Sequence, residues 1–576
     1  MSRRPTALPV PRWRFALLAI LLLAMPLLLL GKVATLQVLG SQQRGAEFLQ
    51  DQGDRRTIRE ELLPAYRGEI SDRNGVPLAV STPVSSLVVN MVAANGRWSR
   101  GQIAALAELI GEETQQLSER LARNSRSQHL YIARQLPLQT AQQVFALGLP
   151  GLEEKREYKR YYPAGEVTAQ LVGLTDIDGQ GIEGLEKAYQ QALAGEHGSQ
   201  QVIKDRSGRI IKSLAQLKEP RMGQPLALTI DLRVQYAAYR ALKRAVAEHR
   251  AEGGSVVVLD VQTGEVLAMA NQPSFNPNDR TGLNLAAVRN RAVQDLIEPG
   301  STVKPLTLLA ALESGKFSAD SRIDTHPGSI QIDYKKFTDH SNYGELDLAG
   351  VLSKSSNVGT IKIALELSPD AIRELFQRFG FGRPVGLGLP GETAGNLPAH
   401  RRWDDVTRAN YAFGYGLQVS ALQLANAYLS LANHGRERPL SLLVPTVDSR
   451  SQPVADAGAS DQIRQMLAGV LAAGGTGTRA GLEGYSSAGK TGTVHKASSA
   501  GGYHSDRYVS IFAGMAPVES PRVVTVVVVD DPRSGGYYGG EAAAPVFADV
   551  TATALRLLQV APDNVEATAQ LAGGGL

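Results

Sequence analysis

Two patterns of apolar spacing divide the chain, and both are preceded by an uncharged run. That run extends from Phe15 to Gly31, and its apolar character continues past Lys32 to Leu39. A spanning helix takes about 20 apolar residues, a lysine near its end can snorkel to the interface, and proline is tolerated inside. Residues 15–39 therefore read as a transmembrane signal anchor, with Pro26 within it. Arg3, Arg4, Arg12 and Arg14 precede it. A basic flank stays on the cytoplasmic side, so residues 1–14 are expected as a cytoplasmic tail and everything after Leu39 outside. A cleavable signal peptide is the competing reading. No small-x-small site closes the segment, which favours an uncleaved anchor.

Residues 40–60 are polar and helix-compatible, the pattern of a juxtamembrane connection. Asn74-Gly75 between two short strand-like runs predicts a hairpin. Residues 100–146 carry amphipathic helical spacing, 158–190 a loop-rich stretch ending in a helix, and 195–230 short strands. A second regime begins near Asp231. Val234–Ala251 has helical periodicity. Gly254–Asn271 reads as two β-rich runs around a Thr263-Gly264 turn. Tyr508–Pro517 and Arg522–Asp530 read as two further strands, and the second is apolar throughout, as in a strand buried on both faces. Ala543–Val560 closes as an amphipathic helix. Strands at both ends with helices between predict one α+β domain over 225–560, its sheet made by pairing the two ends. Residues 40–224 would form a separate domain, and 561–576 a flexible tail.

Composition narrows the function classes. The 576 residues suffice for several domains, and 43% hydrophobic with 20% charged residues is an ordinary globular balance. A formal net charge of +4 excludes a polyelectrolyte, so no nucleic-acid partner is expected. The absence of cysteine removes disulfides, thiolate nucleophiles, Fe–S clusters, Cys-ligated zinc and lipoprotein anchoring together. The 9 histidines show no metal-binding spacing such as H-E-x-x-H, so no metal and no cofactor are expected.

Three short motifs in the second domain carry chemistry. In Glu298-Pro-Gly-Ser301-Thr-Val-Lys304, Pro299 and Gly300 break the chain before a helical run, and Ser301 and Lys304 share one helix face. A lysine made neutral by burial or by a nearby cation can take a serine proton. The helix start also aims backbone N–H groups at a developing oxyanion. In Lys354-Ser355-Ser356-Asn357, Ser355 can relay a proton and Asn357 can hold a carbonyl and the Lys304 amine. In Lys490-Thr491-Gly492-Thr493, the lysine supplies charge, the threonine hydroxyls can bind a carboxylate, and Gly492 on an edge strand admits a second backbone. Each motif alone is weak: Ser487-x-x-Lys490 also matches S-x-x-K, and a serine opening a helix is commonly a plain N-cap. The ordered triple within one domain is a far more specific signal.

That triple resembles the active site of penicillin-recognising serine acyl transferases. Arg67–Ala79, Tyr161–Glu186, Glu298–Pro305, Lys354–Gly359, Phe413–Ala425, Ala488–Thr493 and Gly536–Pro545 are similar to class B penicillin-binding proteins of the division-specific FtsI type. The resemblance implies an elongated pedestal domain, then a transpeptidase domain with a central antiparallel sheet flanked by helices. It implies cross-linking of peptidoglycan stem peptides in septal wall synthesis, inhibition by β-lactams, and divisome partners that include a polytopic glycosyltransferase. Ser301 would be the nucleophile and Lys304 its base, with Ser355 and Asn357 catalytic. Ser356, Lys490, Thr491, Gly492, Thr493 and His495 would bind substrate, and the Ser301 and Thr493 amides would form the oxyanion hole. The division-type pattern has a small residue and then arginine after the third motif, where this chain has Val494 and His495. An imidazole loses its charge near neutral pH, so a His495 in the cleft would strengthen carboxylate binding in acid.

Other classes fit less well. A class A β-lactamase would carry Glu-x-x-Leu-Asn between the second and third motifs, and no such string occurs. No G-x-S-x-G is present for a Ser-His-Asp hydrolase. A D-Ala-D-Ala carboxypeptidase and a penicillin-binding scaffold or sensor without turnover both remain open on sequence.

Overall fold

The computed structural model describes residues 11–37, 58–204, 210–444, 450–498 and 501–564. They form a mixed α+β structure with two compact units. The first comprises Met1–Ala65, Pro83–Tyr158 and Glu196–Met222, and the second Tyr66–Thr82, Lys159–Gly195 and Gly223–Leu576.

In the first unit, one helix runs from Arg12 to Gln37 with Pro26 inside. Its Arg12–Ala34 stretch, with hydropathy 2.5, is long and apolar enough to cross a membrane. Most of the expected 40–60 connection lies outside the described residues, as do residues 1–10 and 565–576. Its last residues belong instead to a strand, Ile58–Leu63, which pairs with Gly198–Lys204 and through it with Ile210–Lys218. A separate cluster is built on residues 85–89 paired with Leu130–Leu136. Helices Arg100–Ile110, Thr114–Arg123 and Leu138–Ala146 supply the rest of its core, with Leu106, Leu117, Leu121 and Val144 packed on Leu87, Val89 and Ile132. The first of these helices is bounded by chemistry legible in the sequence. Ser99 and Gln102 form a reciprocal capping box, and Gly111 ends the helix at φ 71°. The all-helical expectation for 100–146 fails at Leu130–Leu136. That run holds Tyr131 and Ile132, which fit a pleated surface, and pairing with residues 85–89 overrides the local helical spacing.

In the second unit, the Asn74-Gly75 hairpin is present. Asp72 Oδ1 accepts from the Asn74 and Val76 amides at 2.8 Å, and Gly75 takes φ 79°. Nearby, Glu186 is fully buried between two guanidinium groups: it pairs with Arg67 and, at 2.6 Å, with Arg160.

The main sheet of this unit has five antiparallel strands. In chain order they are β1 (Gly253–Asp260), β2 (Val266–Gln272), β3 (Ala488–Ala497), β4 (Tyr503–Ala516) and β5 (Val523–Asp530). Their spatial order is β2-β1-β5-β4-β3, so the two ends of the domain do pair, from Gly253 opposite Asp530 to Asp260 opposite Val523. Alternation explains the continuous apolar runs. Val256, Val258, Val527 and Val529 face helices Leu232–Glu248 and Ala544–Leu557 through Val234, Leu242, Phe547 and Val550. Val257, Leu259, Val526 and Val528 join the opposite core, with Leu306, Leu309, Leu422 and Leu429. Both faces are covered, so β5 has no polar side. The third motif lies on β3, an edge strand.

Removing one partner of a buried ion cluster leaves uncompensated charge. Glu186→Ala, which strands the Arg67 and Arg160 guanidinium groups, should lower the unfolding free energy by about 3–5 kcal/mol. Urea titration of variant and wild type checks this. An unmoved midpoint would show that the cluster adds nothing to stability.

Candidate active site

Ser301 sits in a 3-10 turn, Gly300–Val303, that runs directly into helix Lys304–Glu313, with Pro305 in its first turn. Buried hydrogen bonds hold this turn. Thr302 Oγ1 donates to Pro299 O at 2.6 Å, and Tyr428 OH donates to Thr302 O at 2.8 Å. Gly300 adopts φ 53°, and a Cβ there would lie 2.3 Å from Val494 Cγ1. Only glycine lets the serine turn meet the edge strand this closely.

Lys304 is completely buried. Its Nζ donates to Ser355 O at 2.6 Å, Asn357 Oδ1 at 2.8 Å and Ser355 Oγ at 3.3 Å. Burial pushes the amine well below the usual lysine range, and the nearby Lys490 adds to this. Asp339 acts in the opposite direction. The first two motifs therefore meet at one nitrogen. Ser355 is held at φ 55°, a left-handed conformation uncommon outside glycine and costly for a serine. Ser356 is fully buried. Its Oγ accepts from the Gly359 amide at 2.9 Å, capping helix Asn357–Glu366, and donates to Asp339 at 2.5 Å. Those two bonds occupy the hydroxyl that the sequence reading assigned to substrate.

On β3, Lys490, Gly492 and Val494 face the serine turn. A Cβ on Gly492 would lie 2.9 Å from Thr302 Cγ2 and 3.1 Å from Pro299 O. This glycine is thus required by the protein's own packing, whatever backbone a ligand brings. Lys490 is fully buried; its Nζ donates to Thr491 O at 3.3 Å and Thr491 Oγ1 at 3.4 Å. Burial brings it down to about 7. Thr491, Thr493 and His495 share the opposite face. Thr491 Oγ1 meets Thr476 Oγ1 at 2.9 Å, and Thr493 Oγ1 accepts from the Gly539 amide at 2.9 Å. The His495 ring lies 4.6 Å from Tyr508, with Nδ1 2.9 Å from His504 O. Among the described residues, no group of acidic and histidine side chains forms a metal site.

Sequence reasoning missed Asp339 and Thr476. Neither belongs to a motif, and each reaches the site through a loop that only folding brings near.

Two family descriptions match the chain: "Penicillin binding protein transpeptidase domain" over residues 254–552 and "Penicillin-binding Protein dimerisation domain" over 62–228. The chain belongs to the penicillin-binding proteins. It is 41% identical to the probable peptidoglycan D,D-transpeptidase PbpC of Pseudomonas aeruginosa, over 96% of this chain and 97% of that protein. It is also 41% identical to the peptidoglycan D,D-transpeptidase FtsI of Escherichia coli K12, over 96% and 93% of the two chains. Among solved structures, penicillin binding protein 3 of Mycobacterium tuberculosis complexed with aztreonam matches with TM-score 0.68 and 28% identity, covering 87% of this chain and 98% of that one. Division-type penicillin-binding proteins are thus similar to this one along nearly its whole length.

The depressed Lys490 has a signed consequence for stability. Its amine binds a proton more weakly in the fold, at about 7, than in an unfolded chain, at about 10.4. Protonation therefore favours unfolding, fully below about 7 and less as pH rises towards the unfolded value. Lys490→Met should be more stable than wild type at neutral pH, with the difference shrinking towards pH 10. Urea midpoints of both proteins at pH 7 and pH 10 test this; a pH-independent difference would contradict it.

Proposed function

We propose that the protein is a peptidoglycan D,D-transpeptidase that cross-links stem peptides through an acyl-enzyme on Ser301, and that β-lactams acylate the same oxygen. One observation carries the reading: the Lys304 amine, one turn beyond Ser301, is wholly buried and held by both Ser355 and Asn357. An amine so desolvated takes a proton from a neighbouring hydroxyl far more readily than a solvated lysine does.

Ser301 Oγ attacks the carbonyl of the penultimate D-Ala and passes its proton to Lys304. The oxyanion is held by the Ser301 and Thr493 amides. The amide bond to the terminal D-Ala breaks, and the leaving nitrogen takes a proton relayed from Lys304 through Ser355. An amine of a second stem peptide then attacks the ester, Lys304 accepts its proton, and Ser301 is regenerated. Lys490, Thr491 and Thr493 hold the terminal carboxylate of the donor. His495 lies on the Thr491 and Thr493 face, and we read it as meeting that carboxylate where an arginine was expected.

We take residues 40–224 as the pedestal and 225–560 as the catalytic part. The helix within 15–39 would be a single-pass anchor in the inner membrane, with residues 1–14 cytoplasmic and the catalytic part periplasmic. The FtsI name of a relative supports a role in division; a polytopic glycosyltransferase among the partners is our reading of the resemblance alone.

Ser301→Ala should abolish labelling by a fluorescent penicillin, with the wild-type adduct located on the Ser301 peptide by mass spectrometry. Lys304→Arg keeps charge but offers no neutral amine. It should slow acylation by at least about two orders of magnitude. An adduct on Ser355 or Ser487, or a near-wild-type rate for Lys304→Arg, would sink these assignments. Release of D-Ala from stem-peptide mimics without cross-linked product would turn the reading to a carboxypeptidase. Labelling with neither would turn it to a sensor.

A further inference from the structure

Asp339 follows the short strand Lys335–Thr338 and belongs to none of the three motifs. Its Oδ1 accepts from the backbone amides of Asn357 at 2.5 Å and Val358 at 3.1 Å. Its Oδ2 accepts from Ser356 Oγ at 2.5 Å. The two amides are among the unpaired donors that open helix Asn357–Glu366, where an anion also complements the positive end of the helix. One residue earlier, Thr338 O accepts from Asn357 Nδ2 at 3.0 Å. That contact fixes the orientation of the Asn357 amide: its nitrogen is turned to the loop, and its oxygen is left to face Lys304 at 2.8 Å.

We propose that Asp339 is a positioning residue for acyl transfer, holding the Ser355–Asn357 segment against the Lys304 amine from outside the three motifs. The proposal rests on the transpeptidase reading above. Asp339 acts on Lys304 in two ways. Through hydrogen bonds it locks the cap residue Ser356 between Ser355 and Asn357, whose oxygens receive the Lys304 N–H groups. Through its charge it stabilises the ammonium that forms when Lys304 takes the Ser301 proton. Lys304 feels two opposed charges: Lys490 favours the neutral amine and Asp339 the protonated one. Burial, and then the charge of Asp339, raise the phenol of Tyr343. His340, next in the chain, packs edge-on against Tyr538 at 5.9 Å.

The test uses the full chain in detergent and follows the acylation rate with a fluorescent penicillin from pH 5.5 to 9. Acylation falls in acid as Lys304 becomes protonated. Asp339→Asn removes the charge while keeping the shape, so Lys304 loses its proton more easily and the acid limb should move to lower pH. The maximal rate should fall roughly tenfold or more, because an amide nitrogen now replaces one of the accepting oxygens. Asp339→Ala should shift the limb in the same direction with a larger loss of rate. A lowered rate with an unmoved acid limb would make Asp339 a simple helix cap and overturn the proposal, and so would an unchanged profile. A second measurement does not depend on acylation. Competitive acetylation of Lys304 in unlabelled protein, read by mass spectrometry, should set in at lower pH in folded Asp339→Asn than in wild type. Identical onset would equally overturn the proposal. A wild-type chain that takes no label on Ser301 would instead overturn the function on which it rests.

Discussion

Two lysine amines, Lys304 and Lys490, are buried completely in the same cleft, and the arrangement of the surrounding residues follows from accommodating them. A buried ammonium is costly unless it is paired or neutral. The fold provides acceptors for Lys304 from the second motif, and burial weakens the hold of both amines on their protons. On the proposed reading that destabilisation is the source of the chemistry: an amine that would be charged in water serves as a base beside Ser301. Substituting a neutral apolar side chain for Lys490 would favour the fold at neutral pH, the usual opposition between stability and activity if that amine serves the site.

A second constraint is the closeness of the serine turn and the edge strand. Gly300 meets Val494, and Gly492 meets Thr302 and Pro299, at separations that leave no room for a Cβ on either glycine. The contact places Ser301 against the edge strand β3. It also ties the site to the sheet. β3 is held by β4, β4 by β5 and β5 by β1, with both sheet faces covered by helices. The serine is therefore positioned against a rigid layer, although its own turn is short.

Much of this was legible in the sequence, for reasons that are local. The uncharged run after Arg14, the Asn74-Gly75 turn, the continuous apolar run of β5 and the S-x-x-K, S-x-N and K-T-G strings each act over a few residues. Their order also indicated that the two ends of the domain pair, as Gly253 and Asp530 do. Where local spacing competed with a distant partner, the reading failed. Leu130–Leu136 lies in a stretch of helical periodicity and becomes a strand, because pairing with residues 85–89 satisfies its backbone and buries Ile132.

The site itself divides in the same way. The sequence alone named the candidate side chains, since a hydroxyl three residues from an amine at the start of a helical run is a local pattern. It could not determine their environments. Tertiary structure decided that Ser356 is committed to a helix cap and Asp339. It decided that Gly492 answers to Thr302, and that the His495 ring rests on Tyr508. It also brought in Asp339 from a loop without any motif. Burial and charge act through space, so whether an amine such as Lys304 is neutral depends on groups far away along the chain.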